Sequence, residues 1–197
     1  MAAIRDLADQ YGFKILEDAS HAIGARYQGA FMGSGQFADI TVFSFHPVKI
    51  ITTAEGGLAV TQDPALAAKM ERLRSHGITR DPQLMTKAPD GPWYYQQIEL
   101  GLNYRMTELQ AALGLSQMTR LDDYVAHRAT LAARYDTLLA DLPIALPTQH
   151  PDTASSWHLY VVRLLDPAAH RAVFEGLRPV SYTHLRAHET SLHLVCR

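Results

Sequence analysis

The stretch Thr41–Gly57, TVFSFHPVKIITTAEGG, constrains this chain more than any other. It begins as a strand, because Val42, Phe43 and Phe45 are β-branched and aromatic residues that suit a packed, pleated surface. Pro47 breaks that strand, having no N–H to give to a ladder. Lys49 then stands just past the strand end, between Val48 and Ile50–Ile51, and Gly56–Gly57 close the excursion. Apolar neighbours disfavour an ammonium and so depress a lysine pKa, which is what a Schiff-base lysine requires. Ser44 precedes Lys49 by five residues, placing a hydroxyl where a phosphate can be held. Taken singly, a lysine is usually a solvated surface residue and a strand-end serine means little. Together they suit a covalent aldehyde cofactor with a phosphate held nearby.

The flanking sequence predicts alternating helices and strands. Ile4, Leu7 and Ala8 recur at helical spacing up to Tyr11–Gly12, and FKILED reads as a short buried strand ending in Glu17–Asp18. ARYQGAFMG suits a small hairpin, ADITVFSF a second strand and GLAVT a third. Asp63 as N-cap and Pro64 at the first helical position open a helix carrying Leu66, Ala67, Met70 and Leu73, with Gly77 as its stop. Residues 78–101 hold three prolines and little periodicity, so they read as a functional or mobile loop. Thr107 and Gln110 form a capping box for a helix with Leu109, Ala112, Leu113 and Met118. A longer helix follows, with Leu121, Tyr124, Val125, Leu131, Tyr135, Leu138 and Leu139 on its apolar side, ended by Pro143. WHLYVVRLL reads as a strand and Pro167–Gly176 as helical. This order predicts an α/β fold with a largely parallel, doubly covered sheet. A composition shift across 142–156 marks a boundary between a larger and a smaller domain.

Three further residues carry chemistry. Asp18 ends a predicted strand, at the sheet edge where open α/β folds bind ligands. A carboxylate there can pair with a protonated pyridine nitrogen and keep the ring an electron sink. The plainer reading is a loop or cap aspartate. His21 lies three residues on, in the turn DASHAIG, although a lone histidine is more often structural. Asn103, in GLNYRMTE, precedes a helix N-terminus, where an amide beside free backbone donors suits an anion. A net charge of −2 favours neither nucleic acid nor an anionic membrane as partner. No apolar run reaches the length of a membrane span, and one cysteine, Cys196, allows no disulfide framework. These features indicate a cytoplasmic protein.

In this order, EDASHAIGA, FSFHPVKIITTAEGG, RSHGI and LNYRMTELQAALGLSQ resemble the pyridoxal-phosphate-dependent sugar aminotransferases of the DegT/DnrJ/EryC1/StrS group. The resemblance runs from about Ala2 to Arg178, and SFHPVKIITTAEGG is its most specific part. RSHGITRDP and WYYQQIELG most resemble the pseudaminic-acid-pathway members. Those aminate the 4-keto carbon of a UDP-linked 4-keto-6-deoxy-N-acetylhexosamine, usually with glutamate as donor. The resemblance implies the aspartate-aminotransferase type I fold, pyridoxal 5′-phosphate as cofactor and a homodimer with shared sites. It implies that Lys49 bonds the cofactor and moves the substrate proton. Asp18 then matches the partner of the pyridine nitrogen, His21 the polar residue beside the ring, and Ser44 a phosphate ligand. Asn103 matches a residue reaching the phosphate in the neighbouring subunit's site. Some relatives carry histidine at the lysine position and are dehydratases, so Lys49 favours transamination.

The resemblance also implies a piece of a longer enzyme. Residues 1–142 match the later part of the large cofactor domain with its following helices, and residues 143–178 the start of the small domain. The family's phosphate loop and its ring-stacking aromatic have no counterpart, so little turnover is expected from this chain alone. The stretch 179–197, PVSYTHLRAHETSLHLVCR, departs from the family pattern and reads as non-native sequence. The i, i+4 pair His184 and His188, with Glu189, is therefore not taken as a metal site. Two other readings stay open: a family member acting on another keto sugar, and a non-catalytic structural or dimerisation module.

Overall fold

The computed structural model describes residues 1–185, with side chains through residue 178. His184, His188, Glu189 and Cys196 of the tail lie outside the described side chains. Helix α1 spans Ala2–Tyr11 and ends at Gly12, whose left-handed backbone (φ 72°) lets its N–H reach the Ala8 carbonyl. Strand β1 is Leu16–Asp18, and the hairpin β2 (Arg26–Tyr27) and β3 (Ala30–Phe31) follows as expected. Strands β4 (Ile40–Ser44) and β5 (Gly57–Val60) lead to α2 (Pro64–Arg74), where the Asp63 side chain caps both Ala65 and Leu66.

The stretch 78–101 is not a structureless loop. It is an arm whose base is closed by β6 (Ile78–Thr79) and β7 (Gln96–Gln97), paired antiparallel. Helix α3 (Glu108–Met118) begins with the expected capping box. Helix α4 (Leu121–Leu138) follows, then β8 (Ile144–Ala145), β9 (Thr153–Ala154) and β10 (Arg163–Leu164), a 3-10 turn at Pro167–Ala169 and α5 (His170–Leu185).

The central sheet has the order β1-β4-β5. Strands β1 and β4 run parallel, with Asp18 opposite Val42. Strands β4 and β5 run antiparallel, with Ser44 opposite Gly57. The expectation of a largely parallel sheet therefore holds for one of these two pairings. The link from Phe45 to Gly56 carries no helix, so the chain cannot cross over and instead returns beside the strand it left. The strand expected to be buried, β1, lies at the sheet edge, and Leu16 is 67% exposed. The core under the sheet joins Phe43 and Phe45 of the β4 stretch to Ala19, Ile50, Ile51 and Leu121.

Two further expectations are corrected. WHLYVVRLL forms a strand only at Arg163–Leu164, because the chain bends sharply at Trp157 (φ 52°), a backbone region closed to strands. The apolar side of α4 is only partly covered: Leu121 and Ala132 are buried, whereas Leu131, Tyr135 and Leu138 stay exposed. Strand β9 pairs with β2, making a three-stranded sheet with the hairpin.

Asp39 sets the frame on which β1 and β4 align. Its carboxylate accepts from Arg5 of α1 (3.1 Å), from Lys14 (2.8 Å) and from the Ile15 N–H (2.9 Å). Its own carbonyl accepts from the Thr61 hydroxyl at 2.6 Å. These partners, the Lys14 hydrogen bond first, hold its carboxyl far below the usual aspartate range. A depressed carboxylate contributes stability above its unfolded pKa and loses it as pH falls below that value. Asp39→Asn should lower unfolding free energy by ~1–3 kcal/mol at pH 7. The gap to the wild type should close as acid denaturation by urea is followed from pH 4 downwards.

Candidate functional site

The site is built on the carboxyl ends of β1 and β4. Past β1 the Ala19 N–H still donates to Val42 (2.8 Å), so the ladder runs one residue beyond Asp18. The chain then turns. The Asp18 carboxylate accepts from the Ser20 N–H at 3.0 Å and from the Ser20 hydroxyl, the local bonding that favours aspartate at such turns. Gly24 lets this turn lie against α4: it has φ 78°, and a Cβ there would come within 2.9 Å of the Val125 side chain. His21 stands on the turn, exposed to solvent on much of its surface.

Lys49 sits on the excursion between β4 and β5, half-buried. That loop is held at its base by one carbonyl: Phe45 accepts from the Thr53 N–H and from the Thr52 hydroxyl, both at 3.0 Å. The Phe45 N–H in turn donates to Gly56 at 2.9 Å. Ile50 and Ile51 go into the core, Ile51 with 1% exposure, so they anchor the loop. Their role is thus to place Lys49. On the far side, Gln117 accepts from the Thr52 N–H (3.3 Å), and a Cβ at Gly114 would come within 2.8 Å of the Thr53 methyl. Glycine in mid-helix is therefore a packing requirement here.

Asp18, His21 and Lys49 come together. The Asp18 carboxyl is held below the usual range by the Ser20 hydroxyl, then by the Ser20 N–H, with the charges of His21 and Lys49 adding to the effect. Ser44 ends β4 and accepts from the His46 N–H at 3.4 Å, and its hydroxyl makes no donated hydrogen bond among the described residues. Asn103 lies elsewhere. It forms a β-bridge with Ser75 and is exposed, while the α3 N-terminus is closed by Thr107 and Gln110. Among the described residues, no hydrogen bond joins Asn103 to Asp18, His21 or Lys49.

One site residue escaped the sequence reading. His158 packs on His21, ring centroids 4.3 Å apart and planes tilted by 56°. Burial, then the charges of His21, Lys49 and Arg128, push its pKa down to about 4. Its Nδ1 is buried without a hydrogen-bond partner. The signal in the sequence was the pair Ser155–Ser156, a polar break before Trp157–His158 that a strand reading passes over. Ser155 accepts from the Trp157 N–H (3.0 Å), and Arg128 donates to the carbonyls of Trp157 (3.1 Å) and His158 (3.4 Å).

An amine on an anchored loop, a carboxylate kept ionised, an imidazole and a strand-end hydroxyl are groups whose chemistry fits a phosphorylated pyridine aldehyde. Fold and donor set are thus compatible with the class of α/β pyridoxal-phosphate-dependent transferases. The comparisons narrow this. The model of the DegT/DnrJ/EryC1/StrS aminotransferase family matches residues 1–194, and the chain belongs to that family. It is 39% identical over 165 residues to the spore coat polysaccharide biosynthesis protein SpsC of Bacillus subtilis, covering 83% of this chain and 42% of SpsC. Among solved structures it is similar to S. venezuelae DesV, with TM-score 0.76 and 37% identity over 89% of this chain and 44% of DesV. Helicobacter pylori PseC, an aminotransferase involved in pseudaminic acid biosynthesis, matches with TM-score 0.77 and 34% identity over 90% of this chain and 46% of PseC. Solved pyridoxal-phosphate and pyridoxamine-phosphate forms of a sugar aminotransferase from Streptococcus pneumoniae are also similar. The chain spans less than half the length of these relatives.

Two outcomes are expected. Gly114→Ala should cost ~1–3 kcal/mol in a urea melt, although alanine is intrinsically the better helix former by ~1 kcal/mol, because the buried Thr53 must move. A histidine held neutral by the fold destabilises it as pH falls below the unfolded value of about 6.5. Stability should therefore decline from pH 6.5 towards 4, and His158→Phe should flatten that part of the profile.

Proposed function

We propose that this chain carries the lysine side of the active site of a sugar aminotransferase that moves an amino group onto a nucleotide-linked keto sugar. The preferred substrate is a UDP-linked 4-keto-6-deoxy-N-acetylhexosamine, with glutamate as amino donor. The observation that carries the reading is the convergence of Asp18, His21 and Lys49 at the ends of two parallel strands. The likeness to PseC supports the choice of sugar. The likenesses to SpsC and DesV keep another keto sugar as the second reading.

Pyridoxal phosphate, when bound, supplies an electron sink for the charge left when the substrate carbon loses its proton. The chain's residues do the rest. Lys49 supplies the amine that holds the group covalently and afterwards carries the substrate proton. Its loop is braced on both sides, so the amine is delivered to one place with little reorganisation. Asp18, kept ionised, would pair with the ring nitrogen. His21 would stand beside the ring, and the Ser44 hydroxyl would donate to the phosphate. Asn103, on an exposed bridge, would serve the phosphate of a second copy. Exposed apolar residues in the same region support such a homodimer: Leu109 is 86% and Leu115 71% exposed on α3, with Leu102 and Tyr104 exposed beside Asn103. The reading includes the cytoplasmic setting expected from the sequence.

The test is direct. The chain is mixed with pyridoxal phosphate, reduced with borohydride and mapped by peptide mass. Label should concentrate on Lys49 and vanish from that peptide in Lys49→Arg, and Asp18→Asn should weaken capture by about tenfold. Label confined to exposed lysines such as Lys14 or Lys69 would overturn the reading.

A further inference from the structure

We propose that His158 is a positioning residue of this site: its ring packs on His21 and fixes that imidazole beside Asp18 and Lys49. The contact itself is the first observation, at 4.3 Å between ring centroids. His21 is exposed, and His158 is the ring that packs on it among the described residues. Without that neighbour the His21 ring loses this contact, and more of its ordering falls on the ligand.

The second observation is how much local structure is devoted to the contact. An apolar run suited to a strand is instead bent at Trp157, whose left-handed backbone (φ 52°) is unfavourable for a bulky residue. The bend is held from three directions. The Ser155 hydroxyl takes the Trp157 N–H, and Arg128 of α4 takes two successive carbonyls. The Ser156 hydroxyl, on a residue with 1% exposure, reaches the His21 carbonyl at 3.4 Å. Beyond the bend, Trp157 stacks on Tyr160 (5.7 Å), and the Tyr160 hydroxyl donates to Asp136 at 2.6 Å. The effect of the whole arrangement is to set one histidine ring on another.

The third observation separates this from an ordinary packed histidine. A buried imidazole in a core normally has both nitrogens satisfied or solvated. His158 Nδ1 is instead the one buried side-chain polar atom, among the described residues, with no partner. Burial first, then the nearby charges, Lys49 and Arg128 among them, make the neutral form the one that suits the place. A neutral ring lets His158 pack on His21 without adding a further positive charge beside Lys49.

The ligand part of this inference rests on the pyridoxal-phosphate reading of Lys49, but the packing part does not. The full chain and its His158→Ala and His158→Phe variants are compared by two measurements. Without cofactor, NMR should show nuclear Overhauser contacts between the His21 and His158 rings. His21 should have a single ring environment in the wild type and in His158→Phe, and averaged signals in His158→Ala. With cofactor, borohydride capture at Lys49 is titrated against pyridoxal phosphate. His158→Ala should need about three- to tenfold more cofactor, the order expected for one side chain left to be immobilised, while His158→Phe should stay within about twofold of wild type. The aromatic variant keeps the packing and loses both nitrogens, so its rescue distinguishes positioning from a hydrogen bond to the ligand. Capture by His158→Ala equal to wild type, loss by His158→Phe as large as by His158→Ala, or no contact between the two rings in the wild type would each overturn the proposal. Failure of the wild type to label Lys49 would instead sink the cofactor reading and leave the ring contact to be judged by NMR.

Discussion

The Phe45 carbonyl is the point on which the site depends. It lies one residue past the end of β4 and should be free to continue the sheet. Instead it takes a backbone N–H from Thr53 and a hydroxyl from Thr52. That double acceptance closes the excursion at its neck, and the two isoleucines inside it plug into the core. A loop fixed at neck and body has few ways to move, so a long, flexible side chain such as Lys49 starts from a fixed root. The same closure explains why the chain turns back as an antiparallel partner. With the neck pinned, β5 can start only beside β4.

Much of this was legible in the sequence, for physical reasons. Helix starts are local events, and Asp63–Pro64 and Thr107–Gln110 carry their own hydrogen-bonding logic, so the caps of α2 and α3 were found by residue type alone. The strand–break–lysine order in 41–57 was equally local. Pairing direction was not, because it depends on what fills the connection between two strands. The extent of β10 was misjudged because WHLYVVRLL has the composition of a strand, while the bend at Trp157 is imposed by Ser155 and by Arg128, which is 29 residues away. Nor could periodicity show that the apolar side of α4 would be left partly open, since spacing reports which face is apolar and not what covers it.

The site divides along the same line. Asp18, His21 and Lys49 were readable because each sits at a strand end or in the turn that follows, and strands β1 and β4 bring those ends side by side. His158 was not, because it reaches His21 from a segment more than a hundred residues on and belongs to no regular element. Asn103 stands just before α3, as its place in the sequence implied, and its backbone also bridges to Ser75 at the C-cap of α2, a pairing that no local pattern announces.

One consequence follows from the sheet order β1-β4-β5. The strand bearing Asp18 has no described neighbour on its outer side, and its Leu16 is exposed. An open β edge with an apolar residue is a template for any other extended chain, including a copy of itself. Strand addition at this edge would seat a foreign backbone alongside Asp18.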